Sequence, residues 1–595
     1  MHCTPRAASF LLASALLAIP ATSLSAPVKS GAEKKAHATA TAAESDPWNA
    51  SQPAVEKLDL AAYARIRQEG LTDSHVMELA SALMDDIGPR LTGSPNMQKA
   101  NDWTRDELTR LGMSNAHLED WGEFGMGWQQ LNTWVRLVTP DTAPLIAQAT
   151  PWSPSTNGPV TGQVVNVVIN DEKDFDKYKG KLAGKIVLLG EMRPVPPVDK
   201  PLFERYTEKQ LEELSAYPTE NGERPMAQRI QAFLKRLQMR AQIAPFLADE
   251  KVAGVIVPSR DGENGGGSGG TFFDDTGAAL GWSVYKADQA EKVPCVVMAI
   301  ENYGRMYRLV QAHVPVTAQM DVETQFTGDH QHGFDTVAEI PGTDPKLKEQ
   351  VVMVGGHLDS WASATGATDN GAGTVVAMEA MRILKAIGVQ PRRTIRIALW
   401  SGEEEGLFGS MGYVKQHFGS APLSTAPDQL KLPEFIRKAA GPVETRPEWK
   451  DLDVYFNVDN GSGRLRGLYL QGNAAAAPIF QQWIAPLKDL GVTTLTMRDT
   501  GGTDHLSFDA VGLPGFQFIQ DPLDYDSRTH HSNMDTYERL QPADLAQIAT
   551  VEAIFLYNAA MRDEMIPRKP MPHPELRDQQ QAPLKDLFLG ADDKQ

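Results

Sequence analysis

The chain has 595 residues, of which 42% are hydrophobic and 22% charged, with a formal net charge of -19. A chain of this length exceeds one ordinary hydrophobic core, so at least two domains are expected. The acidic balance and the lack of any long basic run argue against nucleic acid as a partner, because binding phosphates requires a concentrated basic surface.

The first 26 residues have the pattern of an export signal. Arg6 precedes an apolar stretch at 10–19 that is too short to span a bilayer, and small residues follow at 21–26. We expect cleavage within 21–26 and a periplasmic or secreted protein without a stable membrane span; a retained anchor is the alternative. Only Cys295 remains after cleavage, so no internal disulfide can form.

A disordered leader is predicted over 27–54, where Ala, Lys, Thr and Ser predominate and large apolar residues are few. Ordered structure is expected from Val55 onward. Apolar residues at helical spacing predict a first helix around 76–84 and a second over about 97–111, which ends at Gly112.

Residues 131–325 differ from the rest of the chain in composition and in the spacing of their apolar residues. Short apolar strands alternate with loops rich in proline and glycine, around a charged helical stretch at about 208–247. We interpret this region as an inserted β-rich domain. Its segments 184–190 and 253–258 resemble the protease-associated (PA) domain of several peptidase families.

The pattern after about Asp335 predicts alternating strands and helices. Compact apolar runs are typical of buried parallel strands, and they occur at 351–354, 394–399, 454–458 and 516–519. Helices are expected over about 375–387 and from Pro542 onward. The fold prediction is therefore α/β, a mixed, largely parallel sheet with helices on both faces. A polar tail is predicted at 568–595.

Candidate ligands follow these strands, and functional groups gather at the carboxyl ends of strands in open α/β sheets. His357 and Asp359 follow the first strand and, being two apart, project to the same side of an extended chain. Asp369 stands just before the next helix. An isolated pair of this kind is usually a surface hydrogen bond, and Asp369 alone is equally well a helix cap.

Three further groups follow the later strands. They are the acidic run Glu403 to Glu405, then Asp459, then the adjacent histidines His530 and His531. An acidic run is commonly solvated surface, and an aspartate after a strand is commonly a turn residue. Their occurrence at successive strand ends favours a metal site instead, and imidazole with carboxylate ligands suits zinc or a similar divalent ion.

The order His-x-Asp, Asp-Asn-Gly, Glu-Glu, Asp and His resembles the M28 family of zinc exopeptidases. His357 to Trp361 and His530 to Ser532 look closest to its carboxypeptidase Q branch. The resemblance implies a discontinuous catalytic domain, 55–130 and 326–567, interrupted by the PA insertion. It also implies an exported enzyme that hydrolyses peptide bonds near a free terminus, as an aminopeptidase or a dipeptidase. A homodimer is one assembly that the sequence leaves open.

The resemblance implies two zinc ions per chain and a role for each site residue. One zinc would be bound by His357, Asp369 and Asp459, and the second by Asp369, Glu404 and His531, with Asp369 bridging. Glu403 would be the general base. His531 is preferred over His530 because it stands four residues before Asp535, as in the family's pattern. The inserted region holds no candidate ligand, so we expect its removal to alter substrate selection or solubility rather than metal binding.

Other functions fit the sequence less well. Gly266 to Gly270 formally fits the G-x-S-x-G motif of serine hydrolases, but the residues that follow do not begin a helix as that motif requires. Aminoacylase-like peptidases carry their extra domain after the third ligand, whereas the insertion here precedes His357. A non-catalytic binding or receptor-like protein on the same fold would be expected to have lost ligands, and none is missing.

Overall fold

The computed structural model describes residues 55–195, 197–216, 239, 242–260, 269–272, 283–427, 429–430 and 437–576. The expected signal and leader, the middle of the charged stretch at 208–247, most of the loop from Gly266 to Gly270 and the end of the tail lie outside these residues. Among the described helices, none is both long and apolar enough to cross a bilayer.

The described helices follow one another along the whole chain. They are α1 (Leu60–Thr72), α2 (Val76–Ser81), α3 (Pro95–Arg110), α4 (Phe175–Tyr178), α5 (Glu208–Ser215), α6 (242–249), α7 (Ile300–Gln311), α8 (Ala372–Ala386), α9 (Phe408–His417), α10 (Ala477–Ile484), α11 (His505–Asp509) and α12 (Pro542–Met561). The helix expected over 97–111 begins slightly earlier, because Ser94 accepts the N–H of Met97 as N-cap and Pro95 occupies the first turn.

The strands fall into one large sheet and one small pair. They are β1 (Ser114–Thr139), β2 (Ala143–Leu145), β3 (Ala147–Ala149), β4 (Val160–Val167), β5 (Ile186–Leu189), β6 (Gly254–Pro258), β7 (Cys295–Met298), β8 (Thr317–Ile340), β9 (Val351–His357), β10 (Thr394–Trp400), β11 (Gly419–Ser420), β12 (Glu444–Thr445), β13 (Leu452–Asn457), β14 (Leu465–Tyr469), β15 (Thr494–Thr496) and β16 (Gly515–Gln520). The large sheet has the order β15-β14-β16-β13-β9-β10-β8-β4-β5-β6-β7-β3, and β1 pairs with β8 and β2 beside it.

The four strands predicted from apolar runs lie side by side. β10, β9, β13 and β16 are adjacent and parallel, with Trp400 level with His357 and Asn457 level with Gly355. Their side chains are almost entirely buried. Parallel neighbours end at the same edge of a sheet, so the residues after these strands share one edge.

Helices cover both faces of this part of the sheet, as the fold prediction requires. On one face α8 and α12 pack against the strands, with Phe555 of α12 5.5 Å from Phe456 between ring centroids. On the other, Tyr413 of α9 and Phe508 of α11 pack around Trp400. The α/β prediction with helices on both faces is confirmed.

A long antiparallel ribbon, β1 paired with β8, was not predicted. The two strands pair from Ser114 with Glu339 to Thr139 with Thr317, through several register shifts. They cross both expected boundaries of the inserted region, and β8 joins β10 of the catalytic part to β4 of the insertion. The sheet is therefore continuous across those boundaries, and the PA assignment of 131–325 stays a prediction.

Candidate metal centre

The candidate ligands meet at the carboxyl ends of the adjacent parallel strands. His357 is the last residue of β9, Glu403 follows β10, and Asp459 follows β13. All three side chains are buried. The sheet register alone brings these groups together, because the strands that carry them are neighbours.

Asp369 reaches the same edge from the turn before α8. The amide of Asn370 donates to Val458 O at 2.8 Å, which ties this turn to the end of β13. The buried carboxylate of Asp535 accepts the backbone N–H groups of Thr368 at 2.7 Å and Asp369 at 3.0 Å. Asp369 is thus fixed in place by contacts of its own backbone, and its carboxylate is left to face the histidines.

Two groups of side chains share Asp369. In the first, Nε2 of His357 lies 3.5 Å from Oδ1 of Asp369 and 3.3 Å from Oδ1 of Asp459. In the second, Nε2 of His531 lies 3.5 Å from Oδ2 of Asp369 and 3.0 Å from Oε2 of Glu404. Each group therefore uses a different oxygen of the same carboxylate.

His530 also lies beside the second group. Its Nε2 is 3.9 Å from Oδ2 of Asp369, and its ring centroid is 3.9 Å from that of His531. Side-chain exposure is 32% for His530 and 11% for His531. His531 is nearer to Asp369 and also contacts Glu404, which supports the preference for His531 without removing His530 from the site.

The buried atoms of these groups suit a divalent cation. Among the described residues, buried atoms that find no hydrogen-bond partner include His357 Nε2, Asp369 Oδ2, Glu404 Oε1 and Asp459 Oδ1. Buried polar atoms without partners are rare because they are costly. A cation between them would satisfy these nitrogen and oxygen donors, which are ligand types that zinc accepts. The donor set therefore fits a metal.

Asp359 organises the backbone beneath the acidic run. Its Oδ1 accepts the N–H of Glu403 at 3.3 Å, and its Oδ2 accepts the N–H of Glu404 at 3.3 Å and the hydroxyl of Thr92 at 3.1 Å. The ring Nδ1 of His357 contacts the backbone carbonyl of Asp359 at 3.1 Å. Asp359 therefore contacts the histidine ring through its backbone carbonyl, whereas its carboxylate binds the backbone of both glutamates.

Negative charge dominates the electrostatics of the site. Burial raises the pKa of Glu403 and of Glu404 well above the usual range, and the neighbouring carboxylates add to this effect. Burial opposes charging of His357, but Asp459 and Glu403 outweigh it and raise the pKa of the imidazole. A bound divalent cation would offset this charge and reverse the pressure to protonate the carboxylates.

Two residues close to the site were not predicted from the sequence. Tyr525 is buried beside Gly461, and burial together with the charge of Asp369 raises the pKa of its hydroxyl well above the usual range. Arg90 is buried and donates to the carbonyls of Leu358, Gly88, Thr365 and Gly366. Arg90 lies in a segment with a turn pattern and Tyr525 begins a single π-helical turn, so no periodicity distinguished either residue.

A small cleft, with room for about one water molecule, opens beside the second group. The loop 361–366 and Ser532 line it, together with Asp369, Glu404 and His531. The indole of Trp361 stands edge-on to the imidazole of His531, with centroids 5.9 Å apart. Solvent could therefore reach the second group from this side.

Known proteins resemble this chain over most of its length. The model of peptidase family M28 matches residues 335–556. Carboxypeptidase Q of Pongo abelii is 24% identical over 500 residues, which cover 84% of this chain and 88% of the relative. Carboxypeptidase Q of Mus musculus is 25% identical over 492 residues, which cover 82% of this chain and 87% of the relative.

A solved structure supports the fold. The peptidase M28 precursor of Shewanella amazonensis SB2B superposes with a TM-score of 0.60 at 21% identity, over 86% of this chain and 98% of that chain. The family match lies over the strands and loops that carry His357 to His531. Residues 335–556 therefore match peptidase family M28, and this match together with the carboxypeptidase Q relatives supports a metallopeptidase.

Proposed function

We propose that this chain is an exported, dinuclear zinc exopeptidase that hydrolyses the peptide bond next to a free terminus. His357, Asp369 and Asp459 would hold one zinc ion, and Asp369, Glu404 and His531 the other. The observation that carries the proposal is the position of Asp369, whose two carboxylate oxygens face different histidines at 3.5 Å each.

Glu403 is proposed as the general base. Its Oε2 lies 3.9 Å from Nε2 of His357, so its carboxylate borders the first group without being the nearest oxygen to either histidine. Adjacent side chains diverge, and the shared anchor on Asp359 lets Glu404 turn toward His531 while Glu403 remains beside His357. This arrangement supports different roles for the two glutamates.

The reaction follows from these roles. Bound zinc would supply Lewis acidity that lowers the pKa of water and polarises the scissile carbonyl. The carboxylate of Glu403 accepts a proton as the water oxygen bonds to the carbonyl carbon, and it then gives that proton to the amine nitrogen as the C–N bond breaks. Asp359, Asp535 and Asn370 hold the backbone of the ligands in position during this transfer.

Export and domain organisation complete the proposal. The pattern of the first 26 residues supports cleavage of a signal peptide and a periplasmic or secreted enzyme. Residues 55–130 and 326–567 would form the catalytic domain and 131–325 a PA domain. Strands β4 to β7 pair in parallel with one another, and β3 pairs antiparallel with β7 at the edge of the sheet. This compact run of strands within 131–325 supports the assignment of a domain there.

A substrate panel tests the proposed exopeptidase activity. Purified protein would be assayed with amino-acyl anilides, free dipeptides, and the same dipeptides blocked at both ends. Hydrolysis of at least one free-terminus substrate is expected, with none of the doubly blocked peptides. Efficient cleavage of doubly blocked peptides would contradict exopeptidase specificity, and cleavage of dipeptides without anilides would identify a dipeptidase.

A further inference from the structure

The loop that carries His530 and His531 is held at both ends by the intervening region 131–325. At the first end, Glu204 and Leu523 exchange two backbone hydrogen bonds of 2.8 Å each. The hydroxyl of Ser527 donates to Leu202 O at 2.6 Å. The segment 202–206 thus pairs with the chain as it leaves β16 toward the two histidines.

A partly buried ion pair reinforces this end. The carboxylate of Asp521 is fully buried and accepts the N–H of Tyr206 at 3.0 Å. Nη1 of Arg205 lies 3.1 Å from Oδ2 of Asp521 and 2.6 Å from Oδ2 of Asp544. Arg205 therefore links the start of the histidine loop to the first turn of α12, where the loop ends. Arg464 and Arg466 also pair with Asp521, at 3.3 and 3.2 Å, so loss of Arg205 removes the link to region 131–325 while the Asp521 charge stays compensated.

At the second end, the contacts begin at the residue after His531. Phe272 and Ser532 form an isolated antiparallel bridge, and the N–H of Thr271 donates to Oδ1 of Asn533 at 2.8 Å. The side chain of Gln148 accepts the hydroxyl of Thr271 at 3.0 Å and donates to Ser363 O at 2.6 Å. The same region therefore also holds the loop 361–366 that lines the cleft.

The backbone of the held loop adopts conformations that need such support. His531 has φ of +57° and Leu523 φ of +47°, both in the left-handed region that residues with a side chain rarely occupy. Such conformations persist when the surrounding structure fixes them. Glu204 pairs with Leu523 itself, and Phe272 pairs with Ser532, the residue after His531. These contacts therefore lie at or next to the two residues whose left-handed backbone needs support.

We propose that the segments 202–206 and 271–272 are positioning elements of the metal centre, which hold the loop so that His531 reaches Asp369 and Glu404. The inference rests on the proposed role of His531 as a zinc ligand. It departs from the expectation that the intervening region affects only substrate selection or solubility. The region would instead determine the zinc affinity of the site that contains His531.

Two variants test the two ends of the loop separately. Arg205→Met removes the ion pair with Asp521, and Asn533→Ala removes the acceptor for Thr271. Asn533→Asp keeps that oxygen and is the conservative partner. Arg305→Met is the matched control, because Arg305 pairs with Asp141 within the same region, at the surface and away from the loop. Supporting residues around a metal typically change affinity by about 10- to 100-fold when they are lost.

Zinc binding would be measured by competition with a chromogenic chelator, and the ligand geometry by absorption of the Co²⁺-loaded protein. We expect Arg205→Met and Asn533→Ala to weaken one zinc site by about 10- to 100-fold and to alter the Co²⁺ bands. Asn533→Asp and Arg305→Met should match the parent. If Arg205→Met does not fold, Asn533→Ala decides, because it removes a single hydrogen bond.

His531→Ala separates this inference from the proposed function. If His531→Ala binds zinc as the parent does, the proposed ligand role is wrong and the inference falls with it. If His531→Ala loses one zinc ion while Asn533→Ala and any folded Arg205→Met bind zinc as tightly as the parent, the positioning role alone is overturned.

Discussion

The carboxylate of Asp369 lies 3.5 Å from Nε2 of His531, although the two residues come from loops at distant points of the chain. The other oxygen of the same carboxylate lies 3.5 Å from Nε2 of His357. A carboxylate in this position can bridge two cations. The proposed mechanism then requires that some neighbouring side chains bind metal while another accepts the proton of the water.

Glu403→Gln should lower turnover by about 10²–10⁴, because glutamine keeps the shape of the side chain but cannot accept the proton of the water. Its zinc content should stay near that of the parent. Glu404→Gln should instead lose zinc from one site, and added zinc should partly restore its activity. Steady-state kinetics combined with metal analysis distinguishes the two variants. The reverse pattern would mean that the roles of the two glutamates are exchanged.

Asp535→Asn should weaken zinc binding without changing any proposed ligand. The Asp535 carboxylate accepts two backbone N–H groups, from Thr368 and Asp369, on separate oxygens. An amide offers only one oxygen, so the turn that presents Asp369 loses one of these contacts. Chelator competition should give roughly 10- to 100-fold weaker binding. Parent-like affinity in this variant would show that the turn holds Asp369 without Asp535.

Arg90→Met should destabilise the protein by at least about 2 kcal/mol, because several buried carbonyls lose a charged donor. Urea unfolding of the metal-free protein measures the free energy of unfolding. Arg65→Met is the control, since Arg65 donates to one carbonyl, Ile387 O, at the surface. Equal stability of the two variants would contradict the structural role of Arg90.

Because of Asp453, the free energy of unfolding of the unmodified protein should fall as the pH rises from about 4 to 7. Burial raises the pKa of its carboxyl from 3.8 to about 6, so the folded state favours the protonated form. The stabilisation is complete below the unfolded pKa and is lost as the pH passes the folded value. A shift of about two units corresponds to roughly 3 kcal/mol.

Asp453→Asn isolates this contribution, because an amide oxygen can still accept the N–H of Ile566, which lies 2.6 Å from Oδ1 in the parent. The difference in unfolding free energy between variant and parent should grow in favour of the variant between about pH 4 and 7, as measured by urea unfolding at each pH. A difference that does not change with pH would show that Asp453 titrates normally.

The sequence predicted the part of the fold that depends on local pattern. β9, β13 and β16 were recognisable because both of their faces are buried, which requires uninterrupted apolar runs. β1 and β8 were missed because long stretches of them are half-exposed and carry mixed residues. β14 contains Arg466 and Gly467, which interrupt the apolar run and obscured this short strand.

The same reasoning explains which site residues could be predicted. His357, Glu403 and Asp459 lie at or just after the ends of strands, so sequence position indicated where they lie. Arg90 and Arg205 act through partners far along the chain, such as Thr365 and Asp521, and no local pattern records those contacts. The contacts of region 131–325 with the histidine loop could not be predicted for the same reason, since they depend on tertiary pairing alone.

The metal content of the purified protein, measured together with its peptidase activity before and after chelation, tests the central claim most directly. We expect close to two zinc ions per chain, complete loss of activity on removal of the metal, and recovery when zinc is added back. Full peptidase activity in rigorously metal-free protein would contradict it.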